Sequence, residues 1–447
     1  SLILISHRCA IIFLEVGQIT MLSLFIFALT TLLIMMSFLF FPIISVFKKR
    51  IQSYWVIALL GAVFVLLTRQ VDIDEVLASF FSPTPMNPIK LIILFLSMTV
   101  LSIYLDEIGF FAFVAAYILK RAGSSKWRIF FFLYFTVATL TLFTSNDIIV
   151  LTLTLFIIYF SKHARINPLP YLIAQFVAAN TASMMFIIGN PTNMFLGSLL
   201  NLGFIRYFQV MALPTLAVII ISLALLSLLF RKELNTPIEI TSVILPYYNK
   251  VAVFVGLSHL GITIILLVLS NYLRIEMWLI TLTLAFSLTV FALVIKTKKE
   301  ILATYKRMPF TFVPFLLSMF ILVLSLYRTN LEEIMLAYLK SGPVIFTYGI
   351  SSTIIGNLIN NIPMSIFYGR LLMPLDSSLI VQAGYASIIG SNLAALISPL
   401  GSLAGLMWIQ LLKKENVALS FGDFLWRGLI IGGSSLVVAL LVLTLVI

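Results

Sequence analysis

The chain has one cysteine, Cys9, among 447 residues. An intrachain disulfide and a thiolate metal cluster are therefore excluded. Charge is also scarce, at 10% of residues, where a soluble globular protein carries about 25%. No GxxxxGK[ST] phosphate loop occurs, so hydrolysis of ATP by that route is not encoded. No HExxH zinc helix occurs either. Without a visible nucleophile–base pair or metal set, the chain does not read as an enzyme. Polar connections reach only about 20 residues, which leaves no room for a soluble catalytic domain.

What is present is apolar surface: 62% of residues are hydrophobic. That composition reads as an all-α polytopic membrane protein in contact with a lipid bilayer. The net charge of +12 is accounted for by basic cytoplasmic loops, so no nucleic acid partner is expected.

One stretch organises the rest. Thr144-Ser145-Asn146-Asp147 separates two apolar runs, residues 129–143 and 148–160. As helices these would span about 20–23 Å, short of the ~30 Å hydrocarbon core. Lys126 and Arg128 precede the pair, and Lys162 and Arg165 follow it. Basic flanks at both ends put both ends in one compartment. The reading is a re-entrant hairpin with its polar tip deep in the membrane. Non-helical backbone is tolerated there only where it lines a cavity or packs in protein. The tip is accordingly read as half of a transport site.

Residues 1–20 read as a leader or translated upstream segment. A first span, 22–47, stops at Lys48-Lys49-Arg50, and a second, 54–68, returns. The loop 71–88, with Asp72, Asp74, Glu75, Pro83, Pro85 and Pro88, reads as an external turn. After span 89–105, the short apolar run 110–119 lies in the interface. The hairpin follows, then a crossing helix, 171–200, unwound at Gly189-Asn190-Pro191-Thr192-Asn193, because Pro191 removes a backbone donor. Span 211–230 and a linker, 233–250, close the first half.

The second half repeats the plan. Spans 251–269, 277–295 and 310–326 lead to a short segment, 331–339. A second hairpin, 343–372, breaks at Asn360-Asn361-Ile362-Pro363. A crossing helix, 385–412, breaks at Ser398-Pro399-Leu400-Gly401-Ser402, and 425–446 is the last span. Residues 21–232 and 251–447 thus form two repeats, each with five transmembrane helices and one re-entrant hairpin. An odd number of crossings inverts the second, the architecture of secondary transporters with broken helices at the midplane. The arrangement puts 20 of the 28 Lys and Arg on the cytoplasmic side and seven outside. That asymmetry fits a multi-pass protein of a bacterial-type cell membrane, with the start of span 1 and the C-terminus outside.

Four polar clusters converge in this arrangement: Ser145-Asn146-Asp147, Asn190-Thr192-Asn193, Asn357 with Asn360-Asn361, and Ser398 with Ser402. Asn180, Thr181, Ser183, Ser391 and Asn392 lie beside them on the crossing helices. Helix capping explains part of each cluster. Broken helices add amide donors that suit anions and carbonyls that suit cations. Asp147 is the only carboxylate placed at membrane depth, and is read either as a binder of Na⁺ or H⁺ or as a helix N-cap. A Na⁺ would sit near Asn146, Asp147 and Asn361; no other metal or cofactor is expected. His259 reads as a packed, hydrogen-bonded histidine. No Lys or Arg is expected in the cavity.

Three further stretches carry a resemblance. Tyr385-Ala-Ser-Ile-Ile-Gly390, Ile397-Ser-Pro-Leu-Gly-Ser-Leu-Ala404 and Ser420-Phe-Gly-Asp-Phe424 resemble the C-terminal signature of arsenite/antimonite efflux pumps. Ser145-Asn146-Asp147, Asn180-Thr-Ala-Ser183 and Asn360-Asn361-Ile362-Pro363 look similar to the same family. That family belongs to the ion transporter superfamily, with citrate/dicarboxylate carriers and Na⁺/H⁺ antiporters. The resemblance implies an elevator motion, hairpin tips that bind Na⁺ and carboxylate, a homodimer and, for arsenite pumps, a soluble ATPase partner. Those pumps carry Asp where this chain has Asn180 and Asn392, and a Lys near Leu396. Asp147 is left as the sole evident titrating group. The resulting reading is a secondary active ion transporter of the arsenite-pump/anion-permease type, coupled to H⁺ or Na⁺, with its substrate open. Arsenite or antimonite export and Na⁺- or H⁺-coupled uptake of carboxylate or inorganic anions are rivals within it, and a passive channel is the alternative of another class.

Overall fold

The computed structural model describes residues 21–38, 40–46, 49–82, 87–236 and 248–447. The expected leader 1–20, Lys48, Pro83, Pro85 and residues 237–247 of the expected linker lie outside the described residues. Ten helices among the described residues are long and apolar enough to cross a membrane. The chain is a nearly all-helical, multi-pass membrane protein.

The first group of elements is α1 (Met21–Phe38), β1 (Ile43–Val46), β2 (Lys49–Gln52), α2 (Ser53–Leu67), α3 (Ile73–Phe80), α4 (Pro88–Glu107) and α5 (Phe110–Ala122). The second is α6 (Lys126–Phe143), α7 (Asn146–His163), α8 (Leu169–Ala182), α9 (Pro191–Leu199), α10 (Phe204–Leu229) and the single turn α11 (Arg231–Leu234). The pattern recurs in α12 (Lys250–Leu273), α13 (Met277–Val294), α14 (Lys298–Arg307), α15 (Phe312–Leu326) and α16 (Leu331–Leu339). It ends with α17 (Val344–Ile359), α18 (Asn361–Leu372), α19 (Ser377–Ile397), α20 (Leu403–Lys414) and α21 (Phe421–Val446).

Two boundaries differ from expectation. The first span does not run to Phe47. Residues 43–52 instead pair as an antiparallel β-hairpin, with Ile43 opposite Gln52. Pro42 cannot donate to a helix and disfavours helical backbone at Phe41. The β-branched Ile43 and Ile44 then favour an extended chain. Ser53 Oγ closes the turn by donating to the Phe41 carbonyl at 2.7 Å. The loop 71–88 also holds a helix, α3, where a simple turn was expected.

Packing is matched between the halves. α2 lies against α15 and α4 against α13; α7 lies against α20 and α18 against α9; α10 lies against α21. Helices α6–α10 and α17–α21 form an inner group around α19. Helices α1–α4 and α12–α15 form an outer group, and α5 and α16 lie against the hairpins of the inner group. Gly428 and Gly432 let α21 lie directly on the Leu396–Ile397 backbone. His259 is packed as expected, bonded to the Val255 carbonyl at 2.8 Å and to Ser287 Oγ at 3.1 Å.

Both arms of the first hairpin have 18 residues, more than the apolar runs suggested, so length alone does not make it re-entrant. Contacts fix where the outer ends lie, a placement that two full crossings would share. Lys126 and Trp127 bond Thr236 and Asn235 beyond α10. Arg427 of α21 lies over the Phe230 ring. Lys162 pairs with Glu415, at the end of α20 and just before α21, at 3.5 Å. Both ends of the α6–α7 pair therefore reach one end of the molecule. In the second hairpin Tyr348, near the start of α17, donates to the Leu371 carbonyl near the end of α18, at 3.3 Å. At the molecule's opposite end lie the pairs Lys90–Glu276, Arg328–Asp72 and Arg370–Glu332. The Lys90 ammonium donates to Glu276 and holds its carboxyl below the usual range.

Candidate transport site

The crossing helix unwinds earlier than Gly189. α8 stops at Ala182, and residues 183–190 run non-α through a 3-10 turn at Ile187–Gly189. Backbone groups freed inside a membrane need partners, and side chains supply them. Asn193 Nδ2 donates to the Ser183 carbonyl at 2.8 Å, and Tyr207 Oη to the Met184 carbonyl at 3.1 Å. Asn190 caps α9 by accepting from the Thr192 amide at 3.1 Å. Gly189 rests on the Ser183 carbonyl, where a Cβ would collide with the oxygen. Gly189→Ala should therefore cost about 2 kcal/mol through overpacking, read as a lower melting temperature in detergent.

The second break falls at Ser398–Ser402, as expected. Ser398 Oγ accepts from the Leu400 amide at 3.1 Å, and Ser402 Oγ from the Gly405 amide at 3.0 Å. At the second tip Asn360 adopts φ 73° and ψ 153°, a strained region for a side-chain-bearing residue. Its Nδ2 donates to the Leu400 carbonyl at 3.2 Å, which ties the tip to the break.

The amides converge on α19. Asn392 Oδ1 accepts from Ser183 Oγ at 3.2 Å and from Asn190 Nδ2 at 3.1 Å. Asn392 Nδ2 donates to Asn193 Oδ1 at 2.6 Å and to the Ile388 carbonyl at 2.8 Å. Thr192 and Ser391 hydroxyls bond at 3.0 Å. Asn180 accepts from Asn146 Nδ2 at 3.3 Å, which brings the first tip to the same network. Thr181 Oγ1 bonds back to the Val177 carbonyl at 2.9 Å. From the second half, Gly356 packs on Ala394, and Asn357 Nδ2 donates to the Thr353 carbonyl at 3.0 Å. Asn361 is buried at the start of α18.

The buried side-chain atoms without a partner among the described residues include Ser145 Oγ, Asn146 Oδ1 and Asn357 Oδ1. Each such group costs about 1–3 kcal/mol if left unsatisfied. All three lie at or beside the hairpin tips.

A cavity of about 350 Å³ adjoins the first tip and is lined by Ser145, Asp147, Tyr54, Thr99, Thr311 and Arg307, among others. Tyr54 and Thr311 hydroxyls bond at 2.9 Å, and Thr311 donates to Gln52 Oε1 at 3.0 Å. One expectation is corrected here. A cation does line the cavity: Arg307, 201 residues from Asp106 in sequence, is folded back by its pairing with Asp106 and Glu107. Asp106, at the end of α4, accepts from Thr152 of α7 at 2.8 Å. On the other side of the tips the inner and outer groups meet in an apolar seam of Leu91, Phe95, Met194, Phe195, Ile362 and Ile366 around only about 20 Å³. The second tip lines a separate cleft of about 10 Å³ with Asn360, Pro363 and Leu400.

Unwound helices, two polar tips and a cavity with hydroxyls in its wall between two helical groups define a membrane transporter. The comparisons agree. The sequence profile of the citrate transporter family, CitMHS, matches residues 43–390, and the chain belongs to this family. An arsenical pump membrane protein of Escherichia coli is 26% identical over 394 residues, covering 83% of this chain and 89% of that one. One from Yersinia enterocolitica is 27% identical over 358 residues, covering 75% and 81%. Among solved structures, the Alcanivorax borkumensis YdaH transporter aligns over 96% of this chain and 98% of its own, with TM-score 0.56 at 13% identity. That likeness concerns the fold. The resemblance to arsenite pumps drawn from the residues is thus borne out at the level of family.

Proposed function

We propose that the protein is a secondary active transporter of the cell membrane that moves undissociated arsenous or antimonous acid, driven by H⁺ or Na⁺. One observation carries this reading: the charge of the cavity beside the first tip. Among the described residues its one acid is Asp147, and its one cation, Arg307, is already neutralised by Asp106 and Glu107. A citrate trianion would meet no uncompensated positive charge there. A small neutral trihydroxide would meet the hydroxyls of Tyr54, Thr99 and Thr311 and the unpartnered hydroxyl of Ser145. The names of the arsenical pump relatives support the same substrate class.

Matched packing of the halves supports two inverted repeats, 21–232 and 251–447, joined through 233–250. The open cavity on one side of the tips and the apolar seam on the other support alternating access by sliding of the inner group. The distribution of Lys and Arg supports an orientation with the Arg307 end in the cytoplasm and both the start of α1 and the C-terminus outside. A homodimer and a soluble ATPase partner follow from the family resemblance. Coupling belongs to Asp147 with Asn146 and Asn361, as a proton carrier or a Na⁺ ligand.

The family match favours a second reading, Na⁺-coupled uptake of a di- or tricarboxylate, in which bound cations offset Asp147. Counterflow in proteoliposomes separates the two. Arsenite and antimonite should exchange, while citrate, phosphate and sulfate should not, with or without Na⁺. Citrate exchange that requires Na⁺ would overturn the first reading. Flux faster than carrier rates, without counterflow, would point to a channel.

The free oxygens make a further prediction. Ser145→Ala removes a hydroxyl that makes no bond in the protein, so the melting temperature should hardly change. Arsenite affinity should fall by about tenfold, the loss of one hydrogen bond to the substrate.

A further inference from the structure

Asp106 Oδ2 accepts two bonds at once, from Arg307 Nη1 at 2.8 Å and from Thr152 Oγ1 at 2.8 Å. Its side chain is only 8% exposed. Asp106, Glu107 and Arg307 belong to the outer group of helices, whereas Thr152 belongs to the first hairpin, two turns beyond its tip. The bridge stands at the mouth of the cavity, because Arg307 and Leu151 both line it. On the sealed side, the facing surfaces of the same two groups are apolar. At the open side a charge-assisted bond joins the outer group directly to the first hairpin; on the closed side the seam is packing alone, and the charged contacts there, Arg370 with Glu332 at 3.3 Å and over the Tyr327 ring, belong to the second hairpin.

We propose that Thr152 and Asp106 are positioning residues, a latch that holds the hairpin in the state open at the Arg307 end and breaks at each sliding step. This rests on the sliding reading above. Arg307, itself braced by Glu107, fixes the Asp106 carboxylate so that Oδ2 stays aimed at α7. A bond to a charged acceptor inside a protein is stronger than a neutral one. It exists only in this state, so it biases the equilibrium between states rather than binding substrate.

The test uses the full chain with Cys9→Ser, reconstituted in liposomes. Ile366→Cys reports the sealed side and Leu151→Cys the open side, each probed with an impermeant maleimide under an imposed potential of either sign. Thr152→Val keeps the side-chain shape and removes the donor. It should raise labelling at 366 and lower it at 151, by about tenfold in their ratio. Thr152→Ser should restore the parent ratio, which a purely steric role would not require. Asp106→Asn should shift the ratio the same way; if it fails to fold, the Thr152 pair still decides. A ratio unchanged by Thr152→Val, with reciprocal labelling intact in the parent, overturns the latch alone. Active transport without any reciprocal labelling overturns both the sliding reading and the latch.

Discussion

Asn392→Ala is expected to destabilise the protein by about 4 kcal/mol, measured as loss of the folded, monodisperse species on heating in detergent. The alanine orphans Asn190 Nδ2 and Asn193 Oδ1, both buried and both bonded to Asn392. Each orphan costs about 1–3 kcal/mol, and a cavity adds to that. Ser183 is spared, since its hydroxyl also donates to the Asn180 carbonyl at 3.0 Å. Asn392→Asp should be no milder. A carboxylate cannot donate to Asn193 Oδ1, which lies 2.6 Å from Nδ2, so two acceptors would face each other. No cation among the described residues bonds at this position to offset a charge. A melting curve within about 0.5 kcal/mol of the parent would show that the amide network is not what joins the unwound segment to α19.

Much of this architecture was readable in the residues because it is written as interruption. Asn360-Asn361-Ile362-Pro363 and Ser398–Ser402 break apolar runs where the structure breaks its helices. Lys and Arg are few enough that their clustering stands out. Other features left no such mark. Residues 43–46 are as apolar as a span, and only Pro42 hints that the helix has ended. Residues 184–188 are wholly apolar, so unwinding from Ser183 is invisible until Asn193 and Tyr207 are seen bonding the freed carbonyls. Ser145, Asn146 and Asn180 were found as polar residues in apolar surroundings, and the fold brings them together. The partner of Asp106 could not be found that way. Arg307 stands in a basic loop that reads as solvated, and only the fold turns it into the cavity. Thr152, an ordinary threonine in an apolar helix, carried no signal at all.

Asp147→Asn is expected to abolish accumulation against a gradient while leaving insertion and folding nearly intact. Asp147 lies in the first turn of α7 and lines the cavity, and no bond joins its carboxylate to the described residues. As a purely structural group it could only favour the helix N-terminus, worth about 0.3–1 kcal/mol. Asparagine retains its size and much of that local effect. As the coupling group its role is far larger. One positive charge moved through 100 mV supplies about 2.3 kcal/mol, enough for roughly a 50-fold accumulation ratio. Removing the one unpaired carboxylate that lines the cavity among the described residues should collapse that ratio to about one while equilibrative exchange continues. Transport measured against a Na⁺ gradient at fixed pH, and against a pH gradient without Na⁺, then assigns the ion. Coupled transport at the parent rate in Asp147→Asn would reduce Asp147 to a helix-start residue. The driving ion would then have to be held by the neutral oxygens of Ser145, Asn146 and Asn357.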